Sequence, residues 1–333
     1  MNAAERAAVP PAAPAPRPAK IAVPATRDPL WYAPLFVLAP ARSHSTVVAT
    51  MLGMHPQTFG FPELALFRRP TAQELAADPP GWRGVPARAR SAGLLRALAQ
   101  AHHGTQSDET VAAAQVWLEA RSAWTGEHIY DHLLASVAPR IGVQKSPEDS
   151  SRDEYLARVV AAYPRARFLH LTRHPLTSVA SMHRVWKDLD YWNIAPELFH
   201  NFCVGVWCHQ HRRIDRFVSS LPPDRGFRVR AEDILNAPEA ALAPVCRWLG
   251  IDASAEAVET MRHAELAPYA WLGPASARGG GDGGFLRDPV PRATELPESL
   301  ELPLEWNVDP WLAMTALELA RRFGYGAPAP RAG

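Results

Sequence analysis

The sequence predicts an α/β chain, a three-layer parallel sheet with helices on both faces and a helical insertion. Three observations carry this. After residue 139, apolar runs of strand length alternate with amphipathic helical stretches, as in a parallel sheet built from strand–helix–strand units. An earlier apolar run, WYAPLFVLA at 31–39, feeds a polar turn and then a helical period, the same unit seen once more. Between them, residues 72–138 read almost wholly as helix.

Composition bounds the rest. The 333 residues are 47% hydrophobic and 21% charged, enough to bury a large core and incompatible with a disordered or fibrous chain. Lys and Arg number 35 against 34 for Asp and Glu, so a net charge of +1 offers no broad field to a polyanion or an anionic membrane. This argues against a nucleic acid polymer as the main partner. Cys203, Cys208 and Cys246 fit neither a disulfide framework nor a zinc site, and a reducing cytoplasm is the expected setting. The first twenty residues lack the apolar core of a signal peptide, and no stretch reaches the roughly 18 apolar residues of a membrane span. The expected organisation is a disordered Ala/Pro-rich arm over 1–29 with seven prolines, one α/β domain over 30–325 and a flexible tail over 326–333. The insertion occupies about 64–138 of that domain.

The elements follow in order. From Ser45, the residues Val47, Val48, Met51 and Leu52 repeat at helical spacing; Ser43 or Ser45 can cap this helix, and His55-Pro56 stops it. The insertion helices are SAGLLRALAQAHH, VAAAQVWLEARSAW and GEHIYDHLLASVA, joined by loops such as DPPGWRGVP. A strand over 140–146, a helix over 153–163 with Leu156, Val159 and Val160 inward, and a buried strand over 167–172 come next. Past Arg173-His174-Pro175, Leu176, Val179, Met182 and Trp186 share one helical face. A long helix over about 197–221, a strand over 227–230 and a helix over 236–249 ending at Gly250 follow. A Gly/Pro-rich stretch to 309 precedes a closing helix over 311–323, and no internal repeat stands out.

Two segments carry chemistry. The turn Ala39-Pro40-Ala41-Arg42-Ser43-His44-Ser45-Thr46 lies where a parallel sheet binds ligands, beyond a strand's carboxyl end and at a helix amino terminus. Arg42 adds a permanent cation, and Ser43, Ser45 and Thr46 add hydroxyls, so a phosphate group is well held. The Walker loop of ATPases requires G-x-x-x-x-G-K-[ST]; here the lysine and the first glycine are absent, and a triphosphate is poorly served. In LTRHPLTSVASM, Arg173 leaves a strand end and Ser181 follows a little over two helical turns later. Both can meet one isolated phosphate if Arg173 folds back over the helix start. An ordinary capped turn and a solvated Arg and Ser are the bland alternatives for these segments.

Together the two segments resemble the sulfotransferase family that uses 3′-phosphoadenosine 5′-phosphosulfate (PAPS). FVLAPARSHSTVVATMLGMHP is similar to that family's 5′-phosphosulfate loop and RFLHLTRHPLTSVASM to its 3′-phosphate motif, with weaker echoes in VQKSPED, RVRAEDIL and CRWLGID. The resemblance covers roughly residues 34–250. It implies a P-loop-like fold and transfer of a sulfuryl group from PAPS to a hydroxyl of a small-molecule, lipid or carbohydrate acceptor, with no metal required. It assigns Arg42, Ser43, His44, Ser45 and Thr46 to the 5′-phosphosulfate, and Arg173 and Ser181 to the 3′-phosphate. Many relatives carry Gly at the place of His44, and some carry Lys at that of Arg42. In other branches a Gly-rich segment closes over the nucleotide; residues 278–284, with Arg278 as a nucleotide contact, could be that lid, or a surface loop. No residue is assigned to adenine.

Sulfuryl transfer needs an acceptor oxygen relieved of its proton, in-line approach, and cations over the bridging oxygen. In the tyrosylprotein and heparan branches a Glu shortly after an H-P pair is the base. Glu63 takes that place, with Phe59, Phe61, Leu64 and Phe67 to desolvate it. Capping of the following short helix is its alternative role. Cytosolic members use a His base, which makes His102, His103, His128 and His132 the runners-up; His128 and His132 lack a third ligand for zinc. Lys145 resembles the Lys of the family's K-x-P segment and, with Arg42, would offset leaving-group charge, while Glu232 and Asp233 are expected to be structural. Trp117, Trp124, Trp186, Tyr191 and Trp192 are candidates for the walls of an acceptor cleft formed by 64–138 and 183–200, suited to an uncharged or lipophilic alcohol or phenol. A small-molecule kinase and a non-catalytic nucleotide-binding module are the competing functions.

Overall fold

The computed structural model describes residues 32–77, 91–187 and 194–326. The expected arm, the tail from residue 327, the DPPGWRGVP loop, Tyr191 and Trp192 lie outside the described residues. Five parallel strands, β1 (Leu35–Leu38), β2 (Thr58–Gly60), β3 (Ile141–Gln144), β4 (Arg167–Thr172) and β5 (Gly226–Arg230), form one sheet in the order β2-β3-β1-β4-β5. The helices are α1 (Ser45–Gly53), α2 (Ala72–Ala76), α3 (Ala92–His103), α4 (Asp108–Glu119), α5 (Gly126–Val137), α6 (Asp153–Ala162) and α7 (Pro175–Trp186). They continue as α8 (Phe199–Ser219), α9 (Ala231–Asn236), α10 (Pro238–Leu249), α11 (Ala255–Thr260), α12 (Gly283–Arg287) and α13 (Pro310–Arg322).

The central strand shows why the apolar runs are continuous rather than alternating. Both faces of β1 are covered, so all four of its residues are buried. Its side chains still alternate: Phe36 and Leu38 enter a cluster with Phe168, Tyr130 and Ile214, while Leu35 and Val37 enter one with Val48, Leu169 and Leu242. The insertion helices, α6 and α8 thus cover one face, and α1, α9 and α10 the other. A third cluster, including Val179, Met182, Trp207 and Phe323, locks α7, α8 and α13 together.

Local departures from expectation have physical causes. Strand β1 starts at Leu35, after Pro34, whose carbonyl accepts the Arg167 N–H. Strand β2, three residues long, was not foreseen because so short a run carries no period. Neither Ser43 nor Ser45 caps α1; His44 is the N-cap residue, in a left-handed conformation and without a side-chain cap bond. The helix expected over 236–249 is α10, which starts at Pro238, whose fixed φ suits a first helical position, and ends at left-handed Gly250; the short α9 before it was not foreseen. On α7 the expected face is kept, with Val179, Met182 and Trp186 buried and Leu176 half-buried. The three cysteines are free and buried, and among the described residues no helix is long and apolar enough to cross a membrane.

The carboxyl ends of β1, β2, β3 and β4 open on one edge of the sheet, and the segments at 39–46, 61–63, 145–149 and 173–174 leave from there. The seat of α1 on edge strand β2 is set by two glycines: a Cβ on Gly53 would lie 2.4 Å from the Gly60 Cα. Backbone meets backbone there, with no side chain able to yield. Gly53→Ala is therefore expected to destabilise the protein by about 1–3 kcal/mol, the usual cost of overpacking. A lowered denaturation midpoint would show this; an unchanged midpoint would contradict the close seat.

Candidate active site

The turn between β1 and α1 is coiled by two left-handed residues, Arg42 at φ 66° and His44 at φ 57°. Each such residue costs about 1–2 kcal/mol unless it is glycine, which explains why a Gly suits position 44 in relatives. Arg42 is the hub of the turn. Its Nε donates to Ser181 Oγ at 3.1 Å, its Nη1 pairs with the Asp282 carboxylate, and its carbonyl accepts from Arg173 Nη1 at 2.8 Å. Arg173 also donates from Nε to Thr177 Oγ1 at 3.1 Å. Arg173 and Ser181 are thus brought together around Arg42, both buried, and neither lines the adjoining cavity.

Lys145 follows directly on β3 and its side chain is only 5% exposed. Its ammonium donates to Thr46 Oγ1 at 2.8 Å and pairs with the Glu63 carboxylate. Thr46 Oγ1 also accepts the Asp282 N–H at 3.0 Å. With both lone pairs taken, the Thr46 hydroxyl keeps its proton as a donor.

Two cavities meet at these residues. The larger, about 450 Å³, is lined by Arg42, His44, Ser45, Asp282 and Phe285 among others. The smaller, about 210 Å³, runs along β2 past Met54, Phe59, Phe61 and Tyr269. Thr46, Glu63 and Lys145 line both.

The glycine-rich segment lies over this junction. Gly280 O accepts the Glu63 N–H at 2.8 Å, and the buried Arg96 donates from Nη1 to Gly279 O. Gly280, at φ 88°, sits so close to α3 that a Cβ there would come within 2.8 Å of the Gly93 Cα. Arg278 is exposed and lines neither cavity; the residue of this segment that reaches the donor-side turn is the acidic Asp282. Asp282 escaped the sequence reading, although a lone carboxylate in GGGDGG was the available signal.

Other expected residues are placed as follows. Ser43 is fully buried, its hydroxyl has no partner, and it does not line the cavity, because the turn points it inward. Phe59 and Phe61 share the smaller cavity with Glu63, whereas Leu64 and Phe67 belong to the core. Glu63 caps nothing: the short turn Leu66–Arg68 starts after left-handed Ala65. His102 and His132 face each other at 2.8 Å beside Trp117, with Arg121 stacked 4.0 Å above that indole. His128 closes a capping box with Thr125, and His103 is exposed. None of these histidines lines either cavity, nor do Trp117 and Trp124, whereas Trp186 lines the larger one. Glu232 is buried and accepts the His174 N–H at 2.8 Å and the Tyr325 hydroxyl at 2.9 Å, and Asp233 pairs with Arg230, so both serve the scaffold. Among the described residues, no three His, Cys, Asp or Glu side chains gather as a metal site would require.

Burial, then the charges of Arg173 and Arg42, lower the His44 pKa to about 3, so its imidazole is neutral at pH 7. Burial also lowers that of Arg173, to about 10, which leaves it charged. Burial pushes the Asp149 carboxyl up to about 8.

A strand-to-helix turn centred on Arg42, a second Arg/Ser motif beside it and a carboxylate–ammonium pair at the strand edge are set on a parallel sheet. The model of the sulfotransferase family matches residues 34–255, about two thirds of the chain, and the protein belongs to that family. The sulfotransferase domain from the curacin biosynthetic pathway superposes with a TM-score of 0.69 at 23% identity, over 91% of this chain and 100% of that one. The sulfotransferase domain from the Synechococcus PCC 7002 olefin synthase does so with a TM-score of 0.62 at 24% identity, over 89% and 96%. At such identities the likeness is one of fold. No curated protein matches the chain.

His44 yields a pH prediction. In the unfolded chain it binds a proton below about pH 6.5, but in the folded protein only near pH 3, so its contribution is complete above 6.5 and is lost as pH falls toward 3. His44→Asn, which tolerates the left-handed turn, should flatten the acid loss of stability by up to about 1.4 kcal/mol per pH unit over that window. Melting temperatures of both proteins at neutral and mildly acidic pH test this, and parallel curves would refute it.

Proposed function

We propose that the protein transfers a sulfuryl group from PAPS to a hydroxyl acceptor, with Glu63 as general base. The observation that supports this most is the meeting of two cavities at Glu63, Lys145 and Thr46, one bordered by the anion turn and one by apolar side chains. In this reading PAPS occupies the larger cavity, its 5′-phosphosulfate on Arg42, Ser45, Thr46 and the uncapped amino end of α1. His44 contributes as a neutral neighbour. Phe285 and Val47 offer apolar surface to the base. Arg173 and Ser181 would take the 3′-phosphate once the Arg42 guanidinium leaves Ser181. Ser43 and Arg278 have no part in it.

The acceptor hydroxyl in the smaller cavity gives its proton to Glu63, and its oxygen attacks sulfur from the side opposite the nucleotide. A new S–O bond forms, the bond from sulfur to the bridging oxygen breaks, and its electron pair stays on the 5′-phosphate. Lys145 and Arg42 balance the charge that collects there, and the Thr46 hydroxyl donates to a sulfonyl oxygen. Glu63 ends the step protonated. A carboxylate and an ammonium already in contact are suited to this exchange, since Lys145 can follow the charge from Glu63 to the leaving oxygen.

The desulfated product, 3′-phosphoadenosine 5′-phosphate, should raise the melting temperature far more than AMP; equal shifts would sink the donor assignment, and a preference for ATP with magnesium would favour the kinase reading. Glu63→Gln should lower transfer, followed as a sulfonate mass gain on alcohols and phenols, by about 10²-fold or more while keeping nucleotide binding. Full activity in that variant would remove Glu63 as the base. Asp282 holds Arg42 where the donor anion would lie, in a contact of the half-exposed kind worth up to about 1 kcal/mol. Asp282→Asn should accordingly tighten nucleotide binding by up to about fivefold, measured by titration; weaker binding would show that Asp282 assists the donor instead.

A further inference from the structure

We propose that the acceptor is an elongated alcohol with an anionic group at its far end, recognised by Arg140; this rests on the reading of Glu63 as the base. The smaller cavity is a groove with different chemistry at its two ends. At one end Glu63 and Lys145 neutralise each other. At the other, Arg140 lines the groove just before β3, with its guanidinium 4.6 Å from the Phe59 ring centroid. Arg140 is exposed at the mouth of the groove, and among the described residues no carboxylate pairs with it. His55, the other ionisable group there, has its pKa lowered by burial and is bonded to the Asp252 carbonyl.

Between these ends the lining is mixed: Met54, Phe59, Phe61, Pro268, Tyr269 and Leu286 give apolar surface, with Thr50 and Thr58 as polar members. Leu266, also on the groove, is 70% exposed, an apolar rim that a bound chain would cover. Arg140 and Lys145 flank β3, so the backbone between them rises by about 16 Å along the strand axis at roughly 3.3 Å per residue. A saturated twelve-carbon chain, at roughly 1.2 Å per bond, spans about 14 Å and bridges that gap with its hydroxyl at Glu63 and its anion at the guanidinium. A neutral alcohol of the same length would fill the walls and leave Arg140 unanswered.

The test compares ω-hydroxydodecanoate, its methyl ester and dodecanediol monophosphate, each titrated against the full chain. At least one anionic probe is expected to bind about tenfold or more tightly than the ester, and the two anionic arms distinguish a carboxylate from a phosphate terminus. Arg140→Gln should erase that preference. Equal binding of all three probes to the wild-type protein, a result that needs no variant, would overturn the proposal, as would a preference that survives Arg140→Gln. Titration of 3′-phosphoadenosine 5′-phosphate on wild type reads the donor site separately. A protein that ignores this nucleotide yet prefers the anionic probe would retire the sulfuryl-transfer reading while leaving Arg140 as an anion-recognition residue.

Discussion

The Lys145 ammonium is the point on which the site depends. It is almost wholly withdrawn from water, and a buried cation persists only where acceptors replace its hydration. Thr46 from the first turn of α1 and Glu63 from the segment after β2 supply them. One charge therefore ties together three stretches of chain, each delivered to the same edge by a parallel strand. Removing either partner would leave an expensive unmet charge, so the geometry of the site and the integrity of that edge are coupled.

The other constraint is backbone rather than charge. Arg42 and His44 bend the turn before α1 through left-handed conformations, and Gly279 and Gly280 take positive φ where the glycine-rich segment crosses α3. The strain is held by contacts that converge on Arg42: Ser181, Arg173 and Asp282 all touch it. A single arginine thus links the first helix, the 3′-phosphate motif and the glycine-rich segment.

Much of the fold could be read directly from local pattern. Strand β4 was recognised to the residue, because the run RFLHLT, with Phe168, Leu169 and Leu171, is bounded by Arg173-His174-Pro175. The insertion helices and the closing helix were found from their period. Strand β2 was not, since three residues hold no period, and neither was the six-residue α9, which is too short to show one. At the site, Arg42, Thr46, Glu63 and Lys145 were named from motif and resemblance, while Asp282 and Arg140 were not. A lone carboxylate among glycines and an arginine before a strand carry no spacing that marks them.

What the sequence determined by itself is most of the alternation of strands and helices and the two motif segments at 39–46 and 173–181, because these rest on periodicity and on residue types within a turn or two. Only the tertiary structure decided that Ser43 faces inward, that Arg278 stays outside, and that Glu63 and Lys145 touch across 82 residues of chain. Such pairings arise from the register of parallel strands brought together by their crossovers, and that register depends on how the whole core packs rather than on any one segment.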